Sequence, residues 1–331
     1  MRSYKLWTAT LLIVLAIEWA GMVAAYAWGF WAHRRINRVA VYTLPPGMLV
    51  FYKKHIDWVS EHAVDPDKRR YSDPEEAPRH YIDLDRYGSY PFDSLPRNWY
   101  EAVSKYTEDT LKKHGIVPWH VLLELRQLTK AFREKKKWAI LAHSADLGHY
   151  IADAHVPLHC TSNYNGQQTG QRGIHGFWES RIPELFGEEY DYFVGKATYL
   201  VNPSREIWNV VLESASMVDS VLALERQLTE RFPADEKFTF EMRNNQSIRT
   251  YSRPFAAAYQ EMLNRMQERR MRQAILRIGS FWYTAWVNAG QPSLAELADE
   301  PMPEELRLRL EAMDQAWRQG RPAGALSDCH D

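Results

Sequence analysis

The sequence predicts an all-α fold. Four long segments carry apolar residues at helical spacing: Pro118 to about Lys135, Trp138 to Ala154, Ile207 to Phe232, and Phe240 to Asn288 with a break near Arg253-Pro254. Intervening stretches such as 65–78 and 87–96 are rich in proline and aspartate, and neither resembles a pair of strands. We therefore expect long helices joined by irregular loops, without internal repeats.

Residues 1–27 are predicted to be a signal peptide. A basic start precedes an apolar stretch, Leu6 to Ile17, that is too short to span a bilayer comfortably. Ala25 and Ala27 then provide the small residues that signal peptidase requires. Cleavage after Ala27 would place the protein in the periplasm or outside the cell. Glu18 is unusual in such a segment, and an uncleaved anchor is the alternative.

The composition is that of a folded protein without a strong overall field. Hydrophobic residues make up 45% and charged residues 25%, and the formal net charge is -1. Any attraction for phosphate must therefore be local. The two cysteines, Cys160 and Cys329, would suit one disulfide in an oxidising compartment, but their positions in sequence do not show that they meet.

The most informative residues lie in the middle of the chain. His149 and Asp153 are four residues apart on a predicted helix, so they share one face. His175 and Glu179 repeat this spacing on a second predicted helix. Imidazoles and carboxylates without thiolates are the ligands of hydrolytic zinc sites. The segment therefore predicts a metal site built by two helix faces.

A fifth candidate ligand, His159, follows the first of these helices. Pro157 should end that helix near Ala154 or His155, because the residue before a proline disfavours helical dihedral angles. This places His159 on a loop just beyond the helix end, where it can turn back. His155 itself is expected to lie around the site rather than to bind metal.

Cleavage after Ala27 would add two more candidates, since the mature chain would begin Trp28-Gly-Phe-Trp-Ala-His33. Together with the central motif, this start resembles the zinc-dependent phospholipase C family and its relatives, the single-strand-specific zinc nucleases. In that superfamily the N-terminal Trp binds zinc through its own amine and carbonyl. The resemblance covers Trp28 to about Gly290. It implies a single multi-helix domain, 28–290, with the metal site between helices, and leaves 291–331 as a peripheral tail with a short helix near Glu304–Trp317.

The resemblance further implies three zinc ions and nine ligands: Trp28, His33, Asp65, His80, His149, Asp153, His159, His175 and Glu179. The first ion would be bound by Asp65, His80, His149 and Asp153, the second by His159, His175 and Glu179, and the third by Trp28, His33 and Asp153. Asp153 would thus bridge two ions. Asp67 is the alternative to Asp65, because it lies only two residues away.

Such a site would hydrolyse a phosphate ester. Three zinc ions outweigh three ligand carboxylates, which leaves a strongly positive pocket in a near-neutral protein. A hydroxide bridging two of the ions would be the nucleophile, with Asp65 orienting or deprotonating the water as a general base. The remaining ion would stabilise charge on the leaving oxygen. The residues expected to act in catalysis are Asp65 and Asp153.

The two branches of this superfamily share metals and fold, so the metal ligands alone do not distinguish a lipid substrate from a nucleic acid. Glu179 favours the phospholipase branch, since the nucleases typically have Asp there, and the short loop between His159 and His175 lacks the nuclease Gly-Gly-Asn sequence. His155 matches the nuclease motif instead. We expect an exported phospholipase C-like enzyme with transient membrane-surface contact and no obligate protein partner. The alternatives are a single-strand-specific nuclease or 3'-nucleotidase, and a secreted zinc-binding protein without turnover.

The position of the mature N-terminus is directly testable. If Trp28 binds zinc through its own amine, the exported protein should begin at Trp28, and one extra residue before it should weaken the third zinc site. Intact mass spectrometry of the exported protein checks the first point, and zinc content of an extended variant checks the second. A mature chain that begins elsewhere contradicts the assignment of Trp28 as a ligand.

Overall fold

The protein is mostly α-helical, as predicted. A computed structural model describes residues 29–243, 246–297 and 299–320. The helices are α1 (Phe30–Ala40), α2 (Pro46–Lys54), α3 (Ile56–Glu61), α4 (Asp65–Arg69), α5 (Trp99–Tyr106), α6 (Glu108–Lys113), α7 (Val117–Arg133), α8 (Lys137–Ala154), α9 (Ile174–Gly176), α10 (Ile182–Phe186), α11 (Pro203–Arg231), α12 (Arg253–Met262), α13 (Met266–Asn288) and α14 (Glu304–Arg318).

One part of the described chain forms strands, so the all-α prediction holds only as mostly α. Strands β1 (Phe238–Arg243) and β2 (Gln246–Tyr251) form an antiparallel pair in which Phe238 lies opposite Tyr251. The helix predicted over 240–288 is therefore wrong in its first part. Both strands are rich in aromatic and β-branched residues, which favour a pleated surface. Ser252 then caps α12 by accepting a hydrogen bond from the backbone N–H of Phe255.

Helix α8 lies at the centre of the fold. It contacts α1, α7, α11 and α13, and it ends at Ala154, before Pro157, as predicted. Ser144 connects it to two neighbours: its hydroxyl lies 2.7 Å from the Tyr52 hydroxyl, and its carbonyl accepts from Trp282 Nε1 at 3.0 Å. The C-terminal half of α8, which carries His149, is therefore enclosed by other helices.

Helix α1 crosses α8 at a glycine. A Cβ atom on Gly148 would lie 2.1 Å from Oδ1 of Asn37, a distance that no real pair of atoms adopts. The side chain of Asn37 also donates a 3.1 Å hydrogen bond to the carbonyl of Ala145. Since His33 lies one turn before Asn37, this close approach is what brings it to His149 on the other helix.

The C-terminal helix, α14, packs on the first part of the chain. Nζ of Lys68, on α4, lies 2.6 Å from Oδ1 of Asp314, and Met313 is buried. The Trp317 ring lies 5.6 Å from that of Phe30, at the start of α1. The helix predicted near 304–317 is thus present, and it joins two segments that carry candidate ligands.

Helix α11 has the length and apolar composition of a membrane-spanning helix, but 44% of its most apolar window is buried inside the protein. It contacts α7, α8, α12 and the turn that carries His159. A long helix buried along one face against other helices is also what the core of a soluble domain contains. Its composition therefore does not indicate a membrane span by itself.

The helix crossing at Gly148 generates a stability prediction. Gly148→Ala should lower the free energy of unfolding by about 1–3 kcal/mol, the usual cost of forcing an extra carbon into a close-packed site, despite the better helix propensity of alanine. Asn37→Ala removes the side chain that the new Cβ would meet, so the double variant should lose less than the sum of the two single variants. Denaturant unfolding of all three measures this; a fully stable Gly148→Ala protein would show that the helices are not in such close contact.

Candidate metal centre

Two imidazoles and one carboxylate form the first group of candidate ligands. Nδ1 of His80 lies 2.9 Å from Oδ2 of Asp153, and Nε2 of His149 lies 3.1 Å from the same oxygen. The two nitrogens are 3.0 Å apart. All three side chains are buried. The structure therefore brings together three of the four ligands expected for the first zinc ion.

The second group contains all three expected members. Nε2 of His159 and Nε2 of His175 are 3.1 Å apart, and Oε2 of Glu179 lies 3.3 Å from the first and 2.9 Å from the second. His159 lies on a 3-10 turn, Pro157–Cys160, rather than on an open loop. Glu179 lies in a π-helical turn, Phe177–Arg181, that follows α9 directly, and such turns are frequent at functional sites.

His33 joins the first group from α1. Its ring stacks on that of His149, with centroids 3.9 Å apart and planes 15° from parallel, and its Nε2 lies 3.3 Å from Oδ1 of Asp153. The two oxygens of Asp153 thus face different partners, since Oδ2 faces His80 and His149. This is the arrangement expected of a bridging carboxylate. Trp28, the other ligand expected for that ion, lies outside the described residues.

Asp67, and not Asp65, lies beside the candidate ligands of the first group. Oδ1 of Asp67 lies 3.8 Å from Nε2 of His149 and 3.9 Å from Nδ1 of His80. Oδ2 of Asp65 instead accepts from Nδ1 of His62 at 2.6 Å. The segment forms the short helix α4 where a loop was expected, and residues two apart on a helix point to nearly opposite sides. Asp67 is therefore the better-placed candidate ligand of the two, and the role of Asp65 as ligand and catalytic base stays a prediction that this geometry does not favour.

Backbone carbonyls hold two of the imidazoles in place. Nδ1 of His149 donates to the carbonyl of Ala63 at 2.8 Å, and Nδ1 of His159 donates to the carbonyl of His80 at 2.7 Å. Both rings therefore present Nε2 to their groups, with the lone pair available for a metal. Because the backbone of His80 holds a ligand of the second group while its ring belongs to the first, the two groups are directly connected.

Burial and mutual charge set the protonation of the centre. Burial raises the pKa of Glu179 to about 8 and lowers that of His175 to about 4. Burial also opposes the charge on His149, but Asp153 and Asp67 outweigh it and raise its pKa to about 9. A metal ion would displace these protons from Glu179 and His149 and take over the compensation of the buried carboxylates.

The spacing of the ligand atoms fits a small divalent ion. Nitrogen and oxygen atoms bound tetrahedrally to zinc at about 2.0–2.1 Å lie about 3.3 Å apart. The separations are 2.9–3.1 Å in the first group and 2.9–3.3 Å in the second. Both oxygens of Asp67 are buried without a hydrogen-bond partner among the described residues, which is costly unless a cation compensates them. These buried groups can therefore bind metal ions.

Two other residues considered from the sequence lie outside both groups. Nδ1 of His155 is 2.7 Å from the carbonyl of Ile151, and its own carbonyl accepts from Arg270. Cys160 is buried with its sulfur 3.5 Å from the carbonyl of Val211. Cys329 lies outside the described residues, so the expected disulfide stays a prediction.

One residue near the centre is missed by the sequence analysis. Glu76 is completely buried, and its Oε1 lies 3.5 Å from Nε2 of His80, on the side of the ring away from the first group. The spacing of four residues between Glu76 and His80 equals that between His149 and Asp153, and it is the only signal that the sequence offers for this contact.

Comparison with known proteins adds no assignment. No family model matches this chain, and no curated protein matches it with significant similarity. The resemblance described above therefore rests on the motifs alone, and the arrangement of the buried side chains is the main basis for assigning a function.

The choice between Asp67 and Asp65 is tested by two matched variants. Asp67→Asn should weaken metal binding by more than about 100-fold, because it removes a charged ligand, and loss of a group that only supports a ligand already costs about 10–100-fold. Asp65→Asn, which affects the contact to His62, should bind metal nearly as well as the wild type. Zinc content after dialysis against a chelator of known affinity measures both, with circular dichroism to verify folding. The reverse order of affinities would restore Asp65 as the ligand.

Proposed function

We propose that this protein is an exported zinc-dependent phosphodiester hydrolase of the phospholipase C type. The observation that carries the proposal is a pair of buried groups of imidazoles and carboxylates, one around Asp153 and the other formed by His159, His175 and Glu179, which are connected through the backbone of His80. Histidine with carboxylate and without thiolate is the ligand chemistry of hydrolytic zinc sites. Zinc is the metal that this ligand set and its spacing support best.

The number of protein ligands favours turnover over a structural role. Catalytic zinc typically has three protein ligands and one open position, whereas structural zinc is fully bound by protein. The group of His159, His175 and Glu179 offers three ligand atoms among the described residues. This count supports an enzyme over a secreted zinc-binding protein without turnover, the alternative from another class.

When bound, zinc would supply Lewis-acid stabilisation of a phosphate ester and lower the pKa of water. Asp153 would hold two ion positions at a fixed separation through its two oxygens. Asp67 would take the role of general base, because its carboxylate is buried beside the first group and has no hydrogen-bond partner among the described residues. A base without a competing donor is ready to accept a proton from a water molecule.

The choice of lipid over nucleic acid rests on sequence details near the second group. Glu179 stands where the nucleases typically have Asp, and the loop between the two histidines of this group is short. The side chain of Glu179, longer than that of Asp, brings its Oε2 within 3.3 Å of His159 and 2.9 Å of His175, as expected of a ligand. A single-strand-specific nuclease remains the second candidate, supported by His155, which matches the nuclease form of the motif.

A paired assay tests the proposed function. The zinc-loaded protein beginning at Trp28 is incubated with phosphatidylcholine vesicles and, separately, with single-stranded DNA. We expect release of phosphocholine and diacylglycerol, and much slower cleavage of DNA. Faster cleavage of DNA would favour the nuclease, and no hydrolysis of either by a protein with full zinc content would favour the protein without turnover.

Asp153→Asn is the control variant for this assay. The two carboxylate oxygens of Asp153 face different partners. Its substitution by Asn should therefore remove two metal ions together and abolish hydrolysis of either substrate. Metal content by elemental analysis must fall by two ions per chain while the helical circular dichroism remains. Full zinc content together with wild-type activity would mean that Asp153 does not bridge two ions.

A further inference from the structure

We propose that Glu76 is a positioning residue for the metal centre: it holds the His80 ring in the tautomer that carries its proton on Nε2 and directs the lone pair of Nδ1 to the metal. The inference rests on the proposed zinc site and deepens it. It concerns a residue that lies outside the candidate ligand groups, on the opposite side of one of the ligand rings.

The orientation of His80 differs from that of its neighbours. His149 and His159 donate from Nδ1 to backbone carbonyls and so present Nε2 to their groups. His80 has the reverse orientation, since its Nδ1 lies 2.9 Å from Asp153 and 3.0 Å from His149. Its Nε2 must therefore carry the proton when Nδ1 binds a metal, and this proton needs an acceptor on the far side of the ring.

Glu76 is the acceptor in that position. Nε2 of His80 is buried and makes no hydrogen bond to a described residue, and Oε1 of Glu76 lies 3.5 Å from it, close enough for an ion-pair contact and for a small movement to form the hydrogen bond. Glu76 is completely buried, and His80 nearly so. A carboxylate that accepts from the second nitrogen of a ligating histidine is a common support of zinc sites, because it fixes the tautomer and raises the basicity of the ligand.

Three donors fix the carboxylate of Glu76 itself. Nε of Arg69 donates to Oε2 at 2.8 Å, Nη1 of Arg79 donates to the same oxygen at 2.5 Å, and the hydroxyl of Tyr150 donates to Oε1. Two of these donors are guanidinium groups, and all three hold the carboxylate in one orientation. Glu76 is therefore a fixed acceptor.

Glu76 is not needed merely to neutralise the two arginines. Arg69 also pairs with Asp146 at 3.0 Å, and Arg79 also pairs with Asp73 at 3.2 Å. Each guanidinium thus has a carboxylate of its own besides Glu76. The cluster thus contains three carboxylates and only two guanidinium groups. Within it, Oε1 of Glu76 faces the imidazole of His80. A surplus negative charge beside Nε2 favours the tautomer that has its proton there.

Glu76→Gln tests the proposal, with Glu75→Gln as the matched control. Glu75 is the adjacent residue, largely exposed and paired with Lys112, so its substitution should leave the centre unchanged. Glu76→Gln should weaken metal binding by about 10–100-fold at the group of His80, His149 and Asp153. Binding at the group of His159, His175 and Glu179 should change much less. Titration with zinc, followed by NMR signals of the individual histidines, separates the two groups.

The tautomer of His80 gives a second readout that a merely structural role would not move. In the zinc-loaded wild type, nitrogen-15 NMR should show a protonated Nε2 and a metal-bound Nδ1 on His80, and the NH signal of Nε2 should shift in Glu76→Gln. A proton on Nδ1 of wild-type His80 would overturn the proposal even if Glu76→Gln does not fold. Equal weakening of both groups, or none, in a folded Glu76→Gln protein would also overturn it.

These measurements do not involve a substrate. A protein that fails to hydrolyse phosphodiesters but shows this tautomer and the selective loss of affinity would refute the proposed function and leave the role of Glu76 intact. Hydrolysis that persists in Glu76→Gln with unchanged metal affinity at both groups would refute the role of Glu76 and leave the proposed function intact.

Discussion

The carboxylate of Asp153 is the group on which the rest of the centre depends. Its Oδ1 faces His33, and its Oδ2 faces His80 and His149, so two other segments of the chain join α8 at one fully buried side chain. A buried carboxylate is tolerated only when it is paired or binds a metal. The fold meets this requirement by bringing α1 and the segment before α5 against the C-terminal half of α8, and the remaining contacts of the centre follow from that convergence.

The histidine rings of the centre are held in place by two kinds of group, backbone carbonyls and side chains. His149 and His159 are held by backbone carbonyls, which are present at every position and require only that the chain pass at the right distance. His80 depends on a side chain, Glu76, which depends in turn on Arg69, Arg79 and Tyr150. A side-chain network can be tuned by substitution more easily than a carbonyl, so the first group is the part of the centre whose metal affinity sequence changes can adjust.

Regular helix geometry made much of this centre predictable. The spacing of four residues placed His149 with Asp153 and His175 with Glu179, and Pro157 marked the end of α8. Asp67 could not be chosen over Asp65 in the same way, because the choice depends on whether five residues are a loop or a helix. That helix packs on α14, far along the chain. The aromatic and β-branched residues of the hairpin at 238–251 favour strands, but its two strands have only six residues each, too few for periodicity to separate a strand from a helix. The partners of Glu76 meet only in three dimensions.

The contact between α4 and α14 has a consequence for the order of assembly. Lys68 and Asp314 are 246 residues apart, so their ion pair forms only after nearly the whole chain has been synthesised. Helix α4 has five residues, too few for a helix to be stable by itself in water. We therefore expect the chain segment that carries Asp67 to be fixed only when α14 has docked on it. His149 on the central helix α8 does not depend on that contact, so Asp67 would be the carboxylate that completes the site.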